Sequence, residues 1–112
     1  MAVDIERTRE LALALPTTQA VQHFERCAFR TPRKIFATLD AGAGELNLTF
    51  DPELRDFYCE QEPTAFSPLP GGWGRQGATR CDLAHVDEAT LTSALAAAHR
   101  LAAPKAKSAR PG

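Results

Sequence analysis

The chain lacks several signatures, and each absence narrows what it can be. It has no Cys-x-x-Cys pair. Cys27, Cys59 and Cys81 are an odd, widely spaced set, which leaves no zinc-ribbon or thioredoxin-like motif. No stretch approaches the roughly 18–20 apolar residues that cross a bilayer, so no membrane-spanning helix is expected. The first residues show no basic start followed by an apolar run, so no secretory signal is visible and a cytoplasmic chain with reduced thiols is expected. Neither sign of charge prevails: 13 Lys and Arg stand against 14 Asp and Glu, which argues against strong general affinity for nucleic acid. No internal repeat is found. With 112 residues, 44% of them hydrophobic and 24% charged, the chain has the size and composition of one globular domain.

Periodicity and breakers then give an order of elements. Residues 4–15 read as a helix capped by Asp4, with Ile5, Thr8, Leu11, Ala12 and Leu15 on one stripe and Pro16 at its end. Short strand pieces at 21–24 and 26–30 meet across Glu25, and residues 34–39 form a β-rich run. Leu46, Leu48 and Phe50 alternate with polar residues, as in a strand with one wet face. Asp51-Pro52 starts a second helix whose apolar residues are Leu54, Phe57 and Tyr58. Residues 64–77, rich in Pro and Gly, read as a shaped loop. A strand at 78–83 carries Thr79, Cys81 and Leu83 on one side. Asp87 then caps a final helix lined by Leu91, Ala94, Leu95, Ala98 and Leu101, with Val86 and Leu91 placed as a hydrophobic staple. His99 reads as a surface or boundary residue. Pro104 ends this helix, and residues 104–112 read as a disordered basic tail. This order predicts a two-layer α+β domain over residues 1–103, an antiparallel sheet with helices on one face.

Two segments carry a family resemblance. Residues 23–30 (His-Phe-Glu-Arg-Cys-Ala-Phe-Arg) followed by 34–39, and the junction Leu46-Asn47-Leu48 into Asp51-Pro52-Glu53-Leu54, resemble the first half of MmcQ/YjbR-type proteins. Trp73-Gly74-Arg75-Gln76-Gly77, before a strand and an Ala-rich helix, is similar to their second half. The resemblance implies a compact fold like the frataxin/CyaY type and small secretion chaperones. It also implies DNA as a ligand, since that is how the family is labelled, and it brings no catalytic residue set.

Two features carry the functional expectation. In the loop at 71–77, glycines can turn backbone amides inward to cradle an anion, with Arg75 as a bidentate phosphate donor. The plainer reading of the same loop is structural: Trp73 anchors it over the core while the glycines permit its turns. No Lys-Ser/Thr follows it, so it is not a Walker loop. Sheet parity places Arg26, Arg30, Lys34 and Arg80 on the open face with Phe36 among them, the pattern of phosphate contacts with an aromatic for stacking. A solvated face needing polar residues reads the same way. Arg outnumbers Lys ten to three, which suits phosphate contacts. The near-zero total hides segregation: Arg26, Arg30, Arg33 and Lys34 form a basic block, whereas Arg55 is the lone cation among seven acids between residues 40 and 62.

Frataxin-like iron binding would want a dense acidic first helix, but there Glu6 and Glu10 interleave with Arg7 and Arg9. A metal site from His23, Cys27 and Cys81 has only loose spacing behind it. Asp82, His85 and Asp87 lie close together, but Asp87 serves as a cap and no partnered nucleophile is identifiable. The expectation is therefore a non-enzymatic binding domain without metal or cofactor, a monomer or weak dimer. Its candidate ligand is DNA, held by Arg26, Arg30, Lys34, Phe36, Trp73, Arg75 and Arg80. The alternative is a protein-interaction or chaperone-like module that binds no nucleic acid.

Overall fold

The computed structural model describes residues 2–23 and 26–103. The expected bend at Glu25 and the basic tail from residue 104 lie outside the described residues. Helix α1 (Ile5–Leu13) leads into strands β1 (Gln19–His23), β2 (Arg26–Arg30), β3 (Ile35–Asp40) and β4 (Glu45–Leu48). Helix α2 (Pro52–Gln61), strand β5 (Phe66–Pro68), the short helix α3 (Gly71–Arg75), strand β6 (Thr79–Asp82) and helix α4 (Glu88–Ala102) follow. The six strands form one antiparallel sheet in the order β1-β2-β3-β4-β6-β5. This is the expected α+β architecture.

Local chemistry sets the helix starts. The side chains of Asp4, Asp51 and Asp87 accept hydrogen bonds from the amides of Arg7, Leu54 and Thr90 at 2.7, 2.9 and 2.8 Å. Each one satisfies a donor that the first helical turn leaves without a partner.

Cross-strand partners share a face of a sheet, so the register identifies the buried side. Leu39, Leu46, Cys81 and Phe66 form one row across β3, β4, β6 and β5. All four are at most 2% exposed. Leu91, Leu95 and Ala98 of α4 and Tyr58 of α2 belong to the same core. Tyr58 lies between Phe50 and Phe66, with ring centroids 5.2 Å from each. Helix α1 leans mainly on α4 and buries Thr8 and Ala12. The opposite row, Thr38, Asn47, Arg80 and Ser67, is half-buried or exposed and marks the open face.

Four expectations need correcting. Phe36 does not stand on the open face. Phe29 pairs with Ala37 and Arg30 with Ile35, so Phe36 is an extra residue on β3, a β-bulge. The bulge breaks the alternation and aims Phe36 at the helix layer. There it is fully buried, with its ring edge-on to His99 at 5.3 Å. His99 itself is buried, not at the boundary, and its Nε2 donates to the Pro16 carbonyl at 2.8 Å. Phe57 and Leu101, expected on apolar stripes, are exposed. Phe57 sits edge-on against the outside of Tyr58, and Leu101 stands where the last turn of α4 borders a cleft. Finally, residues 64–77 are not one loop, because β5 and α3 form within them. Pro68 is tolerated because β5 is an edge strand of three residues.

Candidate ligand-binding cleft

Helix α3 is an improbable helix. Three of its five residues are glycine, each about 1 kcal/mol less favourable than Ala in a helix, and its N-cap Pro70 makes no side-chain cap bond. Tertiary contacts hold it instead. The Leu69 amide donates to Ala78 O at 3.0 Å and the Ala78 amide to Trp73 O at 2.9 Å, closing the segment on itself. Gly74 lies so close to Leu69 that a Cβ there would sit 1.7 Å from the Leu69 carbonyl oxygen. Gly77 turns the chain with φ of 117°, against the backbone of Phe50 and Asp51. Arg55 of α2 reaches across to donate from Nη1 to Gly74 O at 2.7 Å.

This scaffold presents Trp73 outward, 73% exposed, as one wall of a cleft of about 310 Å³. Lys34 from the β2–β3 connection and Leu101 from the end of α4 also line it. Thr49 and Gln76 contribute polar side chains, Asp51 a carboxylate that also accepts from the Leu54 amide, and Phe50 and Ala78 add apolar lining. The cleft thus combines a free indole, an exposed ammonium and side chains that can donate or accept hydrogen bonds. That combination suits a flat, partly apolar ligand, and the Asp51 carboxylate leaves Lys34 to select negative charge only on the side of the cleft where it stands.

The seven residues expected to act together fall into groups. Lys34 and Trp73 both line the cleft. Arg75 is exposed on α3 but does not line it. The Arg30 guanidinium folds back on its own turn, donating to Thr31 O at 3.1 Å and Pro32 O at 3.3 Å. Arg26 pairs with Asp40 at 3.4 Å, and Arg80 lies 3.6 Å from Glu45. Both pairs are cross-sheet neighbours of opposite sign, so the open face is charge-balanced. The expected basic sheet face is not there. Phe36 lies beneath the sheet, in the core.

The sequence reading missed Thr49, Gln76, Leu101 and Arg55. Gln76 stood inside the Trp73 motif, and Arg55 was conspicuous as the one cation of an acidic stretch. Leu101 carried no separate signal, because its spacing continues the buried stripe of α4. Arg33 was also passed over. It donates to the carbonyls of Leu101 at 2.9 Å and Ala102 at 3.1 Å, where a cation satisfies the open end of a helix.

His85 Nδ1 and Asp82 Oδ2 are 2.9 Å apart. That bond, with the Ala84 amide, holds the Asp82 carboxyl below its usual range. Among the described residues no three His, Cys, Asp or Glu side chains gather in a way that could hold a metal ion. No helix among them is long and apolar enough to cross a membrane.

A family model named YjbR matches residues 13–101. The chain belongs to the YjbR family. The match covers both the sheet and the Trp73 segment, so the cleft is built entirely from the YjbR region. A structural comparison adds a Deinococcus radiodurans protein, DR2400, whose crystal structure carries a domain of the family model DUF419. It superposes with a TM-score of 0.74 at 19% identity, over 88% of this chain and 77% of that one, which establishes the shared fold. No curated protein matches the chain.

Proposed function

We propose that this YjbR domain is a non-enzymatic binding domain of the cytoplasm. Its ligand is nucleic acid with unpaired bases, taken up in the Trp73 cleft. The exposure of Trp73 beside Lys34 carries the reading. An indole left in water loses contact area that a stacked base restores, and stacking on an aromatic is worth roughly 1–3 kcal/mol per base. Lys34 supplies a cation for an adjoining phosphate, and Arg75, exposed outside the cleft, supplies a second where the strand runs on past Trp73. Gln76 and Thr49 offer hydrogen bonds to base edges. Paired bases in a duplex keep their faces stacked on each other, so this chemistry favours single strands. DNA binding through the sheet face has no support from the balanced charges there.

Trp73 is the chain's single tryptophan, so its fluorescence reports the site directly. Titration with a twelve-nucleotide single strand should quench it, and the matching duplex should not. Two phosphate contacts on a single strand predict a roughly sevenfold weakening between 50 and 200 mM salt. Trp73→Phe should retain part of the affinity and Lys34→Ala should flatten the salt dependence. Absence of quenching and of anisotropy change at low salt would sink the reading.

A second reading, a protein-interaction module, rests on strand β1. It is a sheet edge on which Gln19, Ala20 and Val21 are exposed and, among the described residues, carry none of the charge or proline that usually guards against strand addition. A partner's extended segment pairing with β1 would leave Trp73 fluorescence unchanged, and Val21→Lys would abolish it.

A further inference from the structure

We infer that Arg55 is the positioning residue of the Trp73 cleft: its guanidinium clamps α3 and so fixes the indole in its binding orientation. The inference rests on the reading of that cleft as the binding site, and it goes further by naming what makes the site rigid. A helix of five residues with glycine at 71, 72 and 74 has no internal reason to persist, since one turn is all nucleus and no propagation. Its amino end has no side-chain cap. Its carboxyl end is where the order is imposed. Gly74 O accepts from the Gly77 amide at 3.0 Å and from Arg55 Nη1 at 2.7 Å, which uses both lone pairs of that carbonyl.

Arg55 is itself held. Its Nε and Nη2 lie 3.0 and 2.9 Å from Asp56 Oδ1, and its side chain is only 20% exposed. Two of its nitrogens are thereby fixed by the carboxylate while a third reaches α3. A planar fork can do this with little loss of rotamer freedom, and a lysine's single point charge cannot. Trp73 immediately precedes Gly74, so the clamped carbonyl lies one residue from the indole. The Trp73 carbonyl still accepts from the Ala78 amide at 2.9 Å, so freeing Gly74 O loosens α3 without releasing it. The indole then samples a wider range, and a ligand must select the competent fraction. Arg55 lines no part of the cleft, so its effect on binding passes through Trp73.

Arg55→Ala and Arg55→Lys test this with two readouts. The first is the fluorescence anisotropy decay of Trp73 in the ligand-free protein. The fast local component should grow in Arg55→Ala and return partway in Arg55→Lys, with far-UV circular dichroism showing the fold retained. The second is affinity for a twelve-nucleotide thymidine strand, expected to fall five- to tenfold in Arg55→Ala and less in Arg55→Lys. A purely structural Arg55 would lower the melting temperature while leaving the Trp73 decay of the folded protein as it was, and that result would overturn the inference. If Arg55→Ala does not fold, the decay of Arg55→Lys decides: an unchanged local component overturns the clamp. Should the wild-type protein fail to bind the strand, the nucleic-acid reading falls, while the decay still decides the clamp on its own.

Discussion

Replacing Gly74 with Ala sets two physical effects of opposite sign against each other. By intrinsic propensity Gly74→Ala should stabilise α3 by about 1 kcal/mol. The packing says otherwise. The new Cβ would lie 1.7 Å from Leu69 O, 2.9 Å from Leu69 C and 3.3 Å from Leu69 N, all backbone atoms that no rotamer change can move aside. Accommodating it means displacing α3 from Leu69, an overpacking cost of roughly 1–3 kcal/mol. The same displacement stretches the 2.7 Å bond from Arg55 to Gly74 O, a charge-assisted bond worth about 1.5–3 kcal/mol. Set against the propensity gain, the net is a destabilisation of about 2–4 kcal/mol, or a drop in Tm of roughly 10–25 °C for a domain of this size. Gly72→Ala is the matched control. Its Cβ would meet only the Arg75 Nη2 at 3.6 Å, an ordinary contact with a flexible tip, so it should stabilise by up to about 1 kcal/mol. Urea and thermal melts followed by Trp73 fluorescence compare the two variants on one reporter. Equal stabilisation by both would refute the account of how α3 is held.

The core, the Asp82–His85 pair and the buried thiol each have a measurable consequence. Phe36→Ala should cost about 3–5 kcal/mol in a urea melt, because Phe36 is fully buried against His99, whereas a ring on the open face would cost almost nothing. The Asp82 carboxyl is held low by hydrogen bonds from His85 and the Ala84 amide. It therefore contributes stability above the ordinary carboxylate range and loses it as pH falls through its folded value. Wild type should thus lose more stability than Asp82→Asn as pH falls below the ordinary carboxylate value of about 4, and parallel acid limbs would show that the pair contributes nothing. Burial pushes the Cys81 thiol up to about 12, so it should resist a thiol reagent near neutral pH until the protein unfolds. In a Cys27→Ser, Cys59→Ser background, rapid labelling of the native protein would contradict that burial.

What a few neighbouring residues encode is legible in the order of the chain. The three aspartate caps work over three positions, and the Leu46, Leu48 alternation and the buried stripe of α4 are periods of two and 3.6 within one element. From such local signals the α+β order and the family resemblance were legible, along with the importance of the Trp73 segment. Tertiary structure decided everything that depends on partners distant in the chain. The bulge that turns Phe36 inward exists only in the pairing of β3 with β2. The arginines lose their role as a basic face because Asp40 and Glu45, on neighbouring strands, stand beside Arg26 and Arg80. Helix α3 contradicts its own composition and persists through Leu69, Ala78 and Arg55. The cleft draws Lys34, Trp73 and Leu101 from segments separated by 39 and 28 residues in the numbering, and no period or motif links them. Propensity and capping act within a turn or a strand, while charge pairing, close backbone approach and shared walls are properties of space, and only the folded chain sets them.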